Sequence, residues 1–209
     1  LLLMAEHGVE WAATGQGVLA NSLAKSELSS IDKNDYLYQP YTITNGKDNL
    51  LCFFRDDQLS DKIGFEYSKM HSTDAVNDFI GTLESIHEAN QSDTAKIVSV
   101  ILDGENAWEY YPYNGYYFLK ELYAALASHS TIEMATFGDI VDMYRTKNKS
   151  SNKITAPVLP QIAAGSWVYG TFSTWIGSTD KNLAWDLLCE AKKTYDRVIA
   201  KNSLDAAQL

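Results

Sequence analysis

Ile97-Val98-Ser99-Val100-Ile101-Leu102-Asp103-Gly104-Glu105-Asn106 decides how the rest of the chain is read. A β-branched apolar run ends abruptly in two carboxylates with a glycine between them. An earlier apolar run, Leu50-Leu51-Cys52-Phe53-Phe54, follows the Asn45-Gly46 turn signal and ends in Arg55-Asp56-Asp57. Continuous apolar runs of this length suit strands buried on both faces. Between them, Ala75, Val76, Phe79, Ile80, Leu83 and Ile86 recur at helical spacing after the helix-start residues Ser72-Thr73-Asp74.

Working outward, Val9–Ala13 reads as a strand after the His7-Gly8 helix stop, and Thr14-Gly15-Gln16-Gly17 reads as a turn before a short helix over Val18–Lys25. Phe118, Leu119, Leu122, Tyr123 and Leu126 mark a helix after Asn114-Gly115. Phe137–Tyr144 marks a shorter one, and Asn182–Ile199 carries an apolar stripe. Strands alternating with helices predict an α/β fold with a parallel sheet. In such folds chemistry gathers at the carboxyl ends of strands. That rule selects Arg55-Asp56-Asp57 and Asp103-Gly104-Glu105-Asn106.

Charge narrows the partners. A net charge of −10 opposes nucleic acid, whose phosphates need a basic patch, and opposes an anionic membrane surface. No apolar run approaches the roughly 20 residues that span a bilayer. Neutral sugars remain open as ligands. The 13 Tyr and 5 Trp cluster at Trp108–Tyr113, Tyr116–Phe118 and Trp167–Trp175. Aromatic rings stack on the C–H faces of sugars, and they equally pack cores. His7, His71, His87 and His129 are scattered without ligand spacing, and Cys52 and Cys189 sit in apolar contexts, so no metal site or cofactor is expected. A P-loop and a nucleophile elbow are both absent from the sequence.

The Asp103 segment admits two readings. A general acid for glycoside cleavage needs a carboxyl at the edge of an apolar wall with negative charge nearby. The same pattern suits a loop whose aspartate caps the next helix. Likewise, Arg55 with Asp56, Asp57 and Asp61 suits either sugar hydroxyls and support of catalytic groups or a solvated charged loop.

Leu102-Asp103-Gly104-Glu105-Asn106-Ala107-Trp108-Glu109-Tyr110-Tyr111-Pro112-Tyr113-Asn114-Gly115 resembles the aspartate-containing segment of glycoside hydrolase family 57, above all its amylopullulanase-type members. Arg55–Phe65, Gly165-Ser166-Trp167, Ser173–Gly177 and Gly8–Leu19 resemble other stretches of that family in order and spacing. The resemblance implies the later strands of an incomplete (β/α)7 barrel followed by C-terminal helices. It divides the chain into a partial barrel over 1–146, a linker or loop over 147–164, and a helical segment over 165–209 that completes the active-site cleft. It implies a retaining hydrolase of α-glucans, with Asp103 as general acid/base. Trp108, Trp167, Arg55 and Asp61 are then candidate substrate contacts or supports, and Glu105 and Asn106 candidates to position Asp103 or bind hydroxyls.

Two departures qualify that picture. Leu1-Leu2-Leu3-Met4 reads as the end of a helix from a longer chain, and the family's nucleophilic glutamate is expected upstream of it, on the rest of the same polypeptide. Thr14-Gly15-Gln16 stands where the family often carries an acidic residue after the threonine. A non-catalytic glucan-binding homologue and a 4-α-glucanotransferase are the alternatives, and location stays open between cytoplasmic and secreted.

Overall fold

The computed structural model describes residues 1–26, 33–89, 95–105, 107–147 and 155–202. They form two compact units, 1–170 and 171–202. Unit 1 is a mixed α/β assembly built on a three-stranded sheet of order β1-β3-β2, with β1 Trp11–Gly15, β2 Tyr41–Thr44 and β3 Asn49–Arg55. Its helices are α1 Leu2–Glu6, α2 Gln16–Lys25, α3 Lys33–Tyr36, α4 Asp57–Asp61, α5 Ser72–Glu88, α6 Tyr116–Ser128 and α7 Phe137–Lys147. Unit 2 carries α8 Thr179–Asn202, after a bend closed by Trp185 Nε1 donating to the Trp175 carbonyl at 3.0 Å.

β3 lies at the centre, which is why its sequence is apolar without alternation. Leu50, Cys52 and Phe54 face a core with Ala12, Leu19, Leu23, Leu37 and Tyr41. Phe53, on the other face, meets Trp11 and stacks on Phe137 at 4.4 Å. β1 runs parallel to β3, as the alternating pattern predicts. β2 does not. It joins β3 through a tight turn in which Asn45 Oδ1 accepts from the Lys47 and Asp48 amides, and so short a connection permits only antiparallel pairing.

Ile97–Leu102, expected as a second buried strand, forms no ladder. β2 and β1 already occupy β3's two edges. The Leu51 amide donates to Glu10 on the β1 side, and alternate amides face opposite edges, so the Asp56 amide points to the β2 side. β2 stops opposite Cys52. Only the short edge beyond it is free, and there Ser99 makes a single bridge, accepting from the Asp56 amide at 2.9 Å. The apolar character of 97–102 serves instead to pack Val98, Val100 and Leu102 against a second core. That core joins Leu59, Ile63 and Tyr67 to Phe79 of α5 and to Phe118 and Leu122 of α6.

Two smaller differences are local. The α5 cap is His71, whose Nδ1 accepts weakly from the Thr73 amide at 3.4 Å, so Ser72 is already helical. Residues 155–163, within the stretch read as linker or loop, run beside β2, with Thr42 donating to Pro157 O and accepting from Leu159 N. This places Leu159 and Ala163 among the buried residues.

Candidate active site

The carboxyl ends of β1 and β3 point the same way because the two strands are parallel. Arg55, the last residue of β3, is the fastening point there. Its side chain is buried, and its Nε donates to the Ile101 carbonyl at 2.8 Å. Nη1 donates to Asp57 Oδ1 at 2.8 Å and Nη2 to Asp61 Oδ1 at 2.5 Å. Asp57 and Asp61 can reach one guanidinium because they lie four apart on α4, on one helical face. Asp56 has a different task. It caps α4, accepting from the Leu59 amide at 3.0 Å, and its other oxygen accepts from the buried Tyr38 hydroxyl at 2.8 Å.

Electrostatics follow that arrangement. Burial opposes the Arg55 charge, but the hydrogen bonds and charges of Asp61 and Asp57 outweigh it and hold the guanidinium protonated. Burial pushes Asp57 above the usual carboxylate value, with Asp61 and Asp56 adding to the push and Arg55 pulling against it. The 2.8 Å contact to a fixed cation keeps Asp57 in its charged form at neutral pH.

Arg55 also determines where Asp103 stands. The strip leading to it is tied at Ile97 (amide to Tyr38 O, 2.9 Å), at Ser99, at the Ile101 amide (to Ser60 Oγ, 3.3 Å) and at the Ile101 carbonyl by Arg55. Asp103 emerges half-buried into a cleft of about 310 Å³ lined by Ala13, Thr14, Arg55, Ile101, Leu102 and Trp167. The Trp167 ring lies over the guanidinium, 5.1 Å from Cζ to centroid. One carboxyl, one cation and one indole thus share a wall. That set can protonate or deprotonate a ligand oxygen, orient a hydroxyl and stack on an apolar ring face.

A larger hollow, about 370 Å³, is lined by Tyr38, Asp56, Gln58, Lys62, Thr82 and Ser85. Its carboxylate, Asp56, is committed to the α4 cap and to Tyr38, so the smaller cleft is the better candidate. Among the described residues no three His, Cys, Asp or Glu side chains are grouped to hold a metal ion. No helix there is long and apolar enough to cross a membrane.

A scan of protein families matches the Glycosyl hydrolase family 57 model over residues 2–157, three-quarters of the chain. The chain belongs to glycosyl hydrolase family 57. No curated protein matches it. Among solved structures it is similar to the crystal structure of 4-alpha-glucanotransferase from Thermococcus litoralis, at 20% identity and a TM-score of 0.45, covering 66% of this chain and 19% of that one. The chain thus spans about a fifth of that protein's length.

Within this family 57 chain the structure sorts the sequence candidates. Asp103, Arg55 and Trp167 line one cleft, and Asp61 reaches it through Arg55. Trp108 does not line it. Its ring packs in the second core against Tyr111 and Phe118, and so close to Gly115 that a Cβ there would lie 3.1 Å from Trp108 Cε3. Glu105 is exposed, and Asn106 lies outside the described residues. Ala13 and Thr14 also line the cleft; the sequence reading did not propose them as site residues, and the signal that could have found them is their place at the carboxyl end of β1. Tyr38 and Ser60, which brace the site from behind, were not among the sequence candidates.

Proposed function

We propose that this family 57 chain cleaves or transfers α-glucans by double displacement, with Asp103 as general acid/base. The observation that carries the reading is Asp103 on one cleft wall with Arg55 and Trp167. Asp103 protonates the leaving glycosidic oxygen and then activates the incoming water or sugar hydroxyl. Trp167 stacks a sugar ring, and Arg55, held by Asp57 and Asp61, keeps the Asp103 strip in place. A retaining reaction needs a second carboxyl about 5–5.5 Å from the first. That nucleophile is a glutamate on polypeptide upstream of Leu1, within an incomplete (β/α)7 barrel of amylopullulanase type. Of the stretch proposed as connector, 155–163 pack beside β2, and Trp167 beyond them supplies one wall of the cleft.

The test uses the longer polypeptide that contains the upstream segment. Reducing-end release from amylose and pullulan is measured beside Asp103→Asn. A folded Asp103→Asn that loses nearly all activity, by roughly 10³-fold or more, supports the assignment. Retained activity in that variant overturns it. Longer maltooligosaccharides formed without new reducing ends identify transfer, and glucan binding without either product identifies a binding homologue. The 209-residue chain alone is expected to release no reducing ends from amylose.

A further inference from the structure

Two close backbone approaches lie side by side in sequence: Gly15 abuts the Trp167 backbone, and Gly17 abuts Gly170. Gly15 has φ −83° and ψ 156°, extended backbone open to any L-residue. Conformation therefore does not call for glycine at position 15; space does. A Cβ there would lie 2.7 Å from the Trp167 carbonyl oxygen and 2.8 Å from its Cα. Those are backbone atoms, which cannot swing aside as a side chain could. Gly17 is nearly as tight, its Cβ meeting Gly170 Cα and N at 3.1 Å, and a Cβ on Gly170 would lie 2.5 Å from the Gly17 carbonyl carbon.

Register gives the direction. Gly15 is the β-partner of Arg55, and partners in a ladder present their side chains on the same face. A side chain at position 15 would stand beside Arg55, in volume now filled by the Trp167 backbone. The turn after Trp167 is held in place as well. Tyr169 and Gly170 both have left-handed φ, +58° and +68°, and Asn21 Nδ2 donates to the Gly170 carbonyl at 3.0 Å. With Nε, Nη1 and Nη2 of Arg55 each already donating, the guanidinium meets the indole through its flat face.

We propose that Gly15 is a positioning and specificity-determining residue: its missing side chain lets the Trp167 backbone rest on the end of β1, which sets the indole over Arg55 as the stacking wall for an α-glucan ring. This rests on the glucan reading of the cleft. A side chain at position 15 moves the wall off Arg55 and weakens stacking without touching Asp103.

The chain labelled with 5-fluorotryptophan reports the wall directly by fluorine NMR, with the Trp167 line assigned through Trp167→Phe. In Gly15→Ala the Trp167 line shifts or broadens while the Trp108 line, in the second core, stays. Gly17→Ala presses the same seat more gently and gives the same sense of change, so it decides the matter if Gly15→Ala does not fold. An unmoved Trp167 line in the folded variant overturns the proposal. Maltoheptaose affinity, by calorimetry, falls about fivefold in Gly15→Ala, an ordinary coupling for touching residues. In a Trp167→Ala background, Gly15→Ala causes no further loss; additive losses would contradict a role exerted through the indole. If the longer polypeptide of the activity test binds no maltoheptaose, the glucan reading fails, and the fluorine spectra still decide whether Gly15 positions Trp167.

Discussion

Arg55→Met removes the guanidinium that ties β3, α4 and the Asp103 strip together. Methionine keeps much of the buried stem's bulk, so the change falls on charge and donors. The Arg55 side chain is 8% exposed, Asp57 30% and Asp61 51%. Losing a buried, charge-assisted bond to the Ile101 carbonyl costs about 1.5–3 kcal/mol. The partly screened pair with Asp57 adds about 1 kcal/mol, and the half-exposed pair with Asp61 roughly 0–1 kcal/mol. Removing a buried cation also relieves its own desolvation, which works against these losses. The net destabilisation is then about 2–3 kcal/mol. Urea unfolding followed by tryptophan fluorescence measures it, with the denaturant slope checked for constancy. Arg55→Lys keeps the charge but cannot reach three acceptors with a planar fork, so it recovers only part of the loss. A destabilisation below about 0.5 kcal/mol in Arg55→Met, the size of an ordinary surface change, would refute the fastening role. Full recovery by lysine would refute the fork.

Two further measurements address other parts of the molecule. Cys52 is fully buried and its thiol is pushed up to about 12 by burial, whereas Cys189 is exposed. Of the two thiols, a disulfide reagent therefore titrates one in the native chain and both in denaturant; two fast native thiols would contradict the packing around β3. Asp78 accepts from Lys62 at 2.8 Å and from the Tyr67 hydroxyl at 2.7 Å, and these bonds, Lys62's first, lower its pKa below 3.8. An acid whose pKa falls on folding adds stability above its unfolded value, and that share fades as pH drops through the folded value. Asp78→Asn accordingly flattens the stability curve below about pH 4, and an unchanged acid limb would show that the pair does not survive in solution.

Much of the fold was legible because local chemistry agreed with tertiary need. β3 was readable since a central strand is apolar on both faces, and α5 since its buried residues recur at one helical spacing. Gly8 and Asn45-Gly46 announced real stops and turns, because left-handed backbone and side-chain-closed turns need those residue types. That Asp103 lines a cleft was legible for a different reason: it ends an apolar run, where the folded chain brings strand ends together.

What failed was whatever depended on which edges were already taken. Ile97–Leu102 has a strand's composition, but apolar β-branched residues satisfy a second core as well as a ladder, and only the occupied edges of β3 distinguish the two. Trp108 and Trp167 are chemically alike in sequence. One is held in a core by its near neighbours Gly115 and Phe118, whereas the other is laid over a cation by Gly15 and Arg55, more than a hundred positions away. By itself, then, the sequence determined the apolar centre of the sheet, the amphipathic helices, the acidic net charge and the family, all of which follow from residue type and near-neighbour spacing. The tertiary structure alone decided which carboxylates hold Arg55, which aromatic walls the cleft, and why position 15 carries no side chain, because each is a question of which surfaces the folded backbone brings within a few ångströms of one another.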